Sequence, residues 1–169
     1  LSHVKLKFGA VPTDYMVEIL YTKDHGWNHP KIIPLQNLSI HPFNTTLHYA
    51  LSAFEGMKAY KSGDELRLFR PEKNVERFLQ SAKRLAFPTF DPKELLMIIE
   101  EYVKLEKDWI PEKSGCSLYI RPLLMSTTNV IGVHAPTDIA IYVMACPVGE
   151  YVPGQVKLKV NEEFWRGSP

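Results

Sequence analysis

The sequence predicts an α+β domain, a mainly antiparallel sheet packed with two or more helices. Three observations lead there. Runs of strand-forming residues recur between turn signals. Two segments repeat apolar residues at helical spacing. A glycine-centred turn joins two neighbouring runs as a hairpin candidate.

Taken in order, Asp14 to Thr22 reads Asp-Tyr-Met-Val-Glu-Ile-Leu-Tyr-Thr, a strand. Asp24 to Pro30 contains Gly26 and Pro30 and is expected to turn. Pro34 to Phe43 holds two prolines and no period, so it is expected to be irregular. Glu55 to Lys61 and Glu65 to Arg70 flank Ser62-Gly63-Asp64, where Gly63 can adopt positive φ at little cost. Pro71 suits a first helical turn. Val75, Phe78, Leu79, Ala82 and Leu85 then follow at helical spacing.

The next helix has the clearest start. Asp91 is the N-cap, Pro92 the first helical residue, and Glu94 the return partner of a capping box. Leu95, Ile98, Ile99, Tyr102 and Val103 form its buried stripe, and Pro111 and Gly115 close the region. Ser117 to Met125 and Ile139 to Cys146 are strands. The second is almost wholly apolar, as expected of a central strand covered on both faces. Pro147 to Gly154 has the composition of a linker, and Val156 to Val160 reads as a further strand.

Length and composition fit one domain, or one domain with the start of a second: 169 residues, 45% hydrophobic, 23% charged. The net charge of +1 gives no electrostatic reason to expect nucleic acid or an acidic membrane as partner. Cys116 and Cys146 are too few and too far apart for a disulfide framework or a zinc site, which favours a reducing compartment. No apolar run reaches membrane-spanning length, and no signal peptide is visible. The chain starts at Leu1 and ends on Pro169 without a closing element, so it reads as truncated.

Three groups of residues are candidates for chemistry. Tyr119 and Arg121 are two apart in a strand and should share a face. A phenol beside a guanidinium can receive a carboxylate, since both donate hydrogen bonds. A buried arginine–glutamate pair, or an arginine at the sheet edge, is the structural alternative. Leu47 to Lys58 gathers His48, Tyr49, Phe54, Glu55, Gly56 and Lys58, with Gly56 able to admit a ligand to the backbone. Alone the group is a weak signal, and a core aromatic cluster with a glycine bend is the plainer explanation. Arg77 lies near Arg70, Lys73 and Arg84 on the polar side of a helix, where it could hold a phosphate or simply be solvated. His41 and His48 show no metal-ligand spacing, and no metal is assigned.

Read in order, several stretches together resemble the branched-chain amino acid aminotransferases of pyridoxal-phosphate fold type IV. They are Phe8-Gly9 with Thr13 to Met16, Pro34 to Pro42, Leu47 to Tyr49 with Phe54 to Ala59, Leu66 to Pro71, Asn74 to Arg77, Ser117 to Pro122, and Cys146 to Gly149. The resemblance implies the small N-terminal domain of that fold over residues 1–148, an interdomain linker over 149–155, and the start of a cofactor domain over 156–169.

The resemblance also implies roles. Arg77 would hold the phosphate of pyridoxal 5'-phosphate, and Phe8, Tyr49, Phe54, Tyr119 and Arg121 would line the substrate pocket. Val133 would sit on a loop that closes over the neighbouring subunit's site in a homodimer, and Tyr151 on a mobile interdomain lid. The implied reaction moves the amino group of L-leucine, L-isoleucine or L-valine to 2-oxoglutarate, giving branched 2-oxo acids and glutamate. The Schiff-base lysine is expected beyond Pro169, so none of Lys58, Lys83, Lys157 or Lys159 is assigned to catalysis and the chain alone should be inactive. Cytoplasmic location is expected, with the mitochondrion as the alternative. Competing readings are a D-amino acid aminotransferase, an aminodeoxychorismate lyase, or a non-catalytic domain that binds ligands or partners.

Overall fold

The computed structural model describes residues 6–150, 154–161 and 163. Among these residues, eight strands form one sheet in which every pairing is antiparallel. They are β1 (Tyr15–Thr22), β2 (Gly26–Trp27), β3 (Lys31–Pro34), β4 (Ser52–Phe54), β5 (Met57–Ser62), β6 (Glu65–Leu68), β7 (Ser117–Ser126) and β8 (Asp138–Val148). The order is β2-β1-β8-β7-β5-β6, with β3 also on β1 and β4 also on β7. They are accompanied, among the described residues, by α-helices α1 (Thr45–Tyr49), α2 (Pro71–Arg84) and α3 (Pro92–Leu105). This is the α+β architecture that the residue pattern predicts.

β7 and β8 form the spine, paired from Ser117↔Val148 to Ser126↔Ile139. Alternation sorts their side chains onto two faces. Leu118, Ile120, Leu124, Ile139, Ile141 and Val143 point to the face where Val75, Phe78 and Ala82 of α2 and Leu95, Ile99, Tyr102 and Val103 of α3 pack. Burying one of these aliphatic side chains is worth about 1.5–3 kcal/mol, so this face anchors the domain. Met125, Ala140, Tyr142 and the half-buried Leu123 and Met144 point the other way, into a smaller cluster with Met16, Leu38 and Ile33.

The helix starts differ. Asp91 caps α3 through its side chain, which accepts from Lys93 N at 2.7 Å. The capping box expected with Glu94 is replaced by this shorter-range bond. α2 has no side-chain cap; Arg70 precedes it with a left-handed φ of 50°. Asp64 and the left-handed Gly63 (φ 59°) make the β5–β6 turn, as the hairpin reading requires.

Several expectations change. The Asp24 to Pro30 turn is tight enough to leave β2 at Gly26–Trp27. Pro34, expected in an irregular stretch, instead closes Lys31–Pro34. β3 is an edge strand and Pro34 stands at its end, where no ladder bond is lost. The strand expected from Glu55 to Lys61 begins only at Met57, as β5, and an unexpected strand, β4, precedes it; Glu55 and Gly56 separate the two. Pro122 explains the break. A strand residue's N–H and C=O point to the same side; Pro122 accepts Glu55 N at 2.9 Å and has no N–H to return the bond. Val156 to Val160 is not a strand. It pairs with nothing among the described residues, and Val156, Leu158 and Val160 are all exposed, so alternation had no sheet to act on.

A polar network, buried at Tyr102 and Thr13 and exposed at Trp109 and Asp14, ties the end of α3 to the start of β1. The Tyr102 hydroxyl lies 2.8 Å from Thr13 Oγ1 and donates to Tyr15 O at 3.0 Å. Glu106 accepts Tyr15 N at 2.6 Å, and Trp109 Nε1 donates to Asp14 at 3.0 Å. Burial holds the Glu106 carboxyl above its ordinary range, partly opposed by the bonds from Tyr15 and Thr13. The network fixes the point from which the chain runs back through Pro12 and Gly9 to Phe8.

Candidate functional site

Tyr119 and Arg121 share a face of β7, as their spacing predicts, and they touch. Arg121 donates to the Tyr119 hydroxyl from Nε at 3.1 Å and from Nη2 at 2.9 Å. The Arg121 guanidinium also lies over the Phe54 ring, 4.3 Å from its centroid. Phe8 tilts against Tyr119 with ring centroids 4.8 Å apart. No carboxylate pairs with Arg121 among the described residues, so the buried arginine–glutamate alternative does not hold. The Phe54 ring and the Tyr119 phenol take its place, while its Nη1 makes no protein hydrogen bond among those residues.

The result is a cleft of about 220 Å³ on the face away from α2 and α3, lined by Phe8, Tyr119, Arg121, Met144 and Cys146 among others. Its walls are apolar and its polar groups few, which suits a small molecule with one apolar and one anionic part. Phe54 is 63% exposed and touches the cleft through the Arg121 guanidinium stacked on its ring.

Gly56 admits Tyr119 rather than a ligand. A Cβ built there would fall 2.3 Å from the Tyr119 hydroxyl oxygen and 2.9 Å from two ring carbons. The glycine expected to let a ligand approach the backbone instead lets one side of the cleft close over it.

Arg77 sits on the helix face. Its Nε and Nη2 grip Glu55 at 2.7 and 2.6 Å. The Glu55 side chain is 8% exposed and that of Arg77 62%. The Glu55 hydrogen bonds, opposed by partial desolvation, hold the Arg77 pKa above its usual value. Arg77 also lines a groove of about 450 Å³ with Phe69, Arg70, Lys73, Asn74, Glu76 and Gln80. Arg77 is thus neither simply solvated nor committed wholly to its pair: Nη1 carries no protein partner among the described residues.

Arg77 and Arg121 approach one sheet edge from opposite faces. Phe54, under Arg121, and Glu55, under Arg77, are consecutive. β6 pairs with β5 only from Ala59 onward, so on that side residues 52–58 pair with no strand among the described residues. Glu55 stood among the Leu47 to Lys58 candidates, but its pairing with Arg77 was not expected. A lone glutamate between apolar residues in a strand-like run was the available signal, since burial demands a partner for it.

The remaining expected residues stand elsewhere. Tyr49 ends α1, with His48 as its ring neighbour at 6.1 Å. α1 is bound to the Ser126 end of β7 through Thr45 Oγ1 and Thr46 Oγ1. That end is roughly 17 Å along the strand from Arg121 at about 3.4 Å per residue. Val133 is 89% exposed on the loop between β7 and β8. The loop's base is firm: Thr128 Oγ1 accepts from Thr137 N and Asp138 N, each at 3.0 Å. Tyr151 lies outside the described residues. His41 and His48 bond to Phe43 N and Pro42 O respectively, which are turn contacts.

No protein-family model matches the chain. Individual relatives do. A branched-chain-amino-acid aminotransferase of Dictyostelium discoideum is 48% identical over 166 residues, 96% of this chain and 44% of that protein. The mitochondrial enzyme of that name from Mus musculus is 47% identical over 92% of this chain and 40% of its own length. The cytosolic one from Ovis aries is 43% identical over 96% and 44%. Among solved structures, the Escherichia coli branched-chain amino acid aminotransferase aligns with a TM-score of 0.64 at 25% identity, over 82% of this chain and 41% of that one. The T.th. enzyme complexed with N-(5'-phosphopyridoxyl)-L-glutamate aligns with a TM-score of 0.57 at 29% identity, over 76% and 40%. The chain therefore spans less than half the length of these relatives. Over nearly all of its own length it is homologous to part of the branched-chain aminotransferases.

Proposed function

We propose that this homologue of part of the branched-chain aminotransferases supplies the substrate-side domain of a longer enzyme of that activity. The parent protein would transfer the amino group of L-leucine, L-isoleucine or L-valine to 2-oxoglutarate, forming glutamate. Residues 1–148 would be the small domain, 149–155 the linker and 156–169 the start of the cofactor domain.

The observation that carries this reading is the Arg121–Tyr119 pair between Phe8 and Phe54. One pocket must accept an apolar side chain in one half-reaction and a second carboxylate in the other. Phe8 and Phe54 offer apolar area for the first. Arg121, with no carboxylate of its own, offers free N–H groups to the second. Tyr119 holds that guanidinium by accepting two of its bonds, so it orients Arg121 without neutralising it.

Pyridoxal phosphate, when bound, would act as the electron sink for the carbanion at the substrate's α-carbon. The residues present fit its phosphate in one respect. Arg77 is fixed by Glu55 on one edge and leaves Nη1 toward a groove that also carries Arg70 and Lys73. Val133, at the tip of a firmly based loop, is proposed to reach a second subunit's site, and Tyr49 and Tyr151 to complete the pocket in the whole protein. Relatives of both cytosolic and mitochondrial description occur, and no helix among the described residues is long and apolar enough to cross a membrane.

The test is an amino-donor comparison on the parent protein. L-leucine with 2-oxoglutarate should yield glutamate, while D-alanine should be a poor donor. Preference for D-alanine would move the protein to another activity of the same fold. The isolated chain, mixed with pyridoxal phosphate and borohydride, should give no stoichiometric adduct at a single lysine; such an adduct would contradict the assignment of the cofactor lysine to the rest of the protein.

A further inference from the structure

We infer that Glu55 is a positioning residue for an anion held by Arg77, and that it acts by fixing which edge of the guanidinium faces the groove. The inference rests on the proposal that Arg77 anchors a phosphate, and it adds a residue that neither charge nor position would nominate. A carboxylate beside an anion site should by simple electrostatics weaken it.

Geometry argues the opposite role. Glu55 accepts from Arg77 Nε at 2.7 Å and Nη2 at 2.6 Å, a two-point grip that leaves one rotation of the guanidinium plane. Without it, a side chain with several rotatable bonds on an exposed helix face would have to be ordered by the anion itself, at a cost in affinity. Glu55 is itself immobilised. Its backbone N–H donates to Pro122 O at 2.9 Å, and its Oε1 accepts from Gly56 N at 2.8 Å. Asn74, one helical turn before Arg77, donates to Gly56 O at 2.9 Å, so α2 grips the Glu55–Gly56 segment at two points. With Nε and one Nη2 proton occupied, the free donors cluster at Nη1, on the exposed side of a pair whose other member is buried.

The two accounts predict opposite signs. Inorganic phosphate is titrated into the 169-residue chain while the Arg77 side-chain ¹⁵N–¹H signals are followed by NMR, in the native chain and in Glu55→Gln and Glu55→Ala. Positioning predicts that native Arg77 Nε–H is sharp and protected before phosphate is added and that its signals move on titration. Phosphate should then bind Glu55→Ala roughly five-fold or more weakly, as expected when an anion must itself order the guanidinium. Glu55→Gln should fall between the two because an amide oxygen can still accept one of the bonds. Equal or tighter phosphate binding by Glu55→Gln, with its amide spectrum otherwise native, overturns the positioning role and leaves Arg77 as an anion site. No phosphate response in the native chain overturns both. Should Glu55→Ala fail to fold, the sign of the Glu55→Gln change alone decides.

Discussion

The Tyr119 hydroxyl occupies the space that the Cβ of residue 56 would fill in any amino acid but glycine. The separation is 2.3 Å, far inside contact distance. Gly56 is therefore required by packing and not by a turn. Gly56→Ala must push the phenol away and with it the two bonds to Arg121. We expect a loss of about 1–3 kcal/mol, the usual range for overpacking. Chemical denaturation of Gly56→Ala, Tyr119→Ala and the double variant measures it. In the Tyr119→Ala background the alanine at 56 should cost far less, and an undiminished cost would mean that the strain lies in the backbone.

Arg121→Ala in the parent protein should raise KM for 2-oxoglutarate much more than KM for leucine. Only the oxo acid brings a second carboxylate, and a charge-assisted bond is worth about 1.5–3 kcal/mol, roughly ten- to a hundred-fold. Steady-state kinetics with each substrate varied separately will decide. Equal losses for both would make Arg121 structural.

Glu106 gives the domain a pH signature. Its folded carboxyl is raised by burial, so the folded chain keeps this proton to higher pH than the unfolded chain does. The stability it contributes is fully present below the ordinary glutamate value of 4.5 and is lost as pH rises through the raised folded value. Glu106→Gln keeps an acceptor for Tyr15 N and removes the titration. Urea midpoints across this window should favour the glutamine variant progressively as pH rises, then level off. A difference independent of pH would show that Glu106 does not titrate abnormally.

Val133 is expected to matter only in the assembled protein. Its side chain is almost wholly exposed, so Val133→Gly should change the chain's own stability by no more than about 0.5–1 kcal/mol, counting the added backbone freedom. In the parent protein the same change should lower kcat/KM, and mixing it with a subunit lacking Arg121 should restore part of the activity if the loop acts across subunits. Full activity in the Val133→Gly parent would remove the loop from the site.

Much of this was readable from residues alone, for identifiable reasons. β1, β7, β8, α2 and α3 each carry enough repeated apolar positions to declare their period, and each lies in or on the main core. Tyr119 and Arg121 could be paired because two residues in a strand always return to the same side. What escaped was set by distant partners. α1 is five residues long and exists because Asn44 caps it and Thr45 and Thr46 bond to Ser126, 80 or more positions away. β3 is a strand only because β1 lies beside it. The break between β4 and β5 is written at Pro122, not at Glu55. Glu55 as the partner of Arg77 likewise needed the fold to bring a strand gap under a helix.

The adjacent residues Glu55 and Gly56 face opposite sides of the sheet, the first toward Arg77 and Asn74, the second toward Tyr119. This makes the five positions a mutually constrained set. A larger residue at 56 is tolerable only with a smaller one at 119, and losing the carboxylate at 55 favours losing the guanidinium at 77 as well. Related sequences should therefore exchange residues here in groups, and a library randomised at one of these positions at a time will miss the combinations in which one change offsets another.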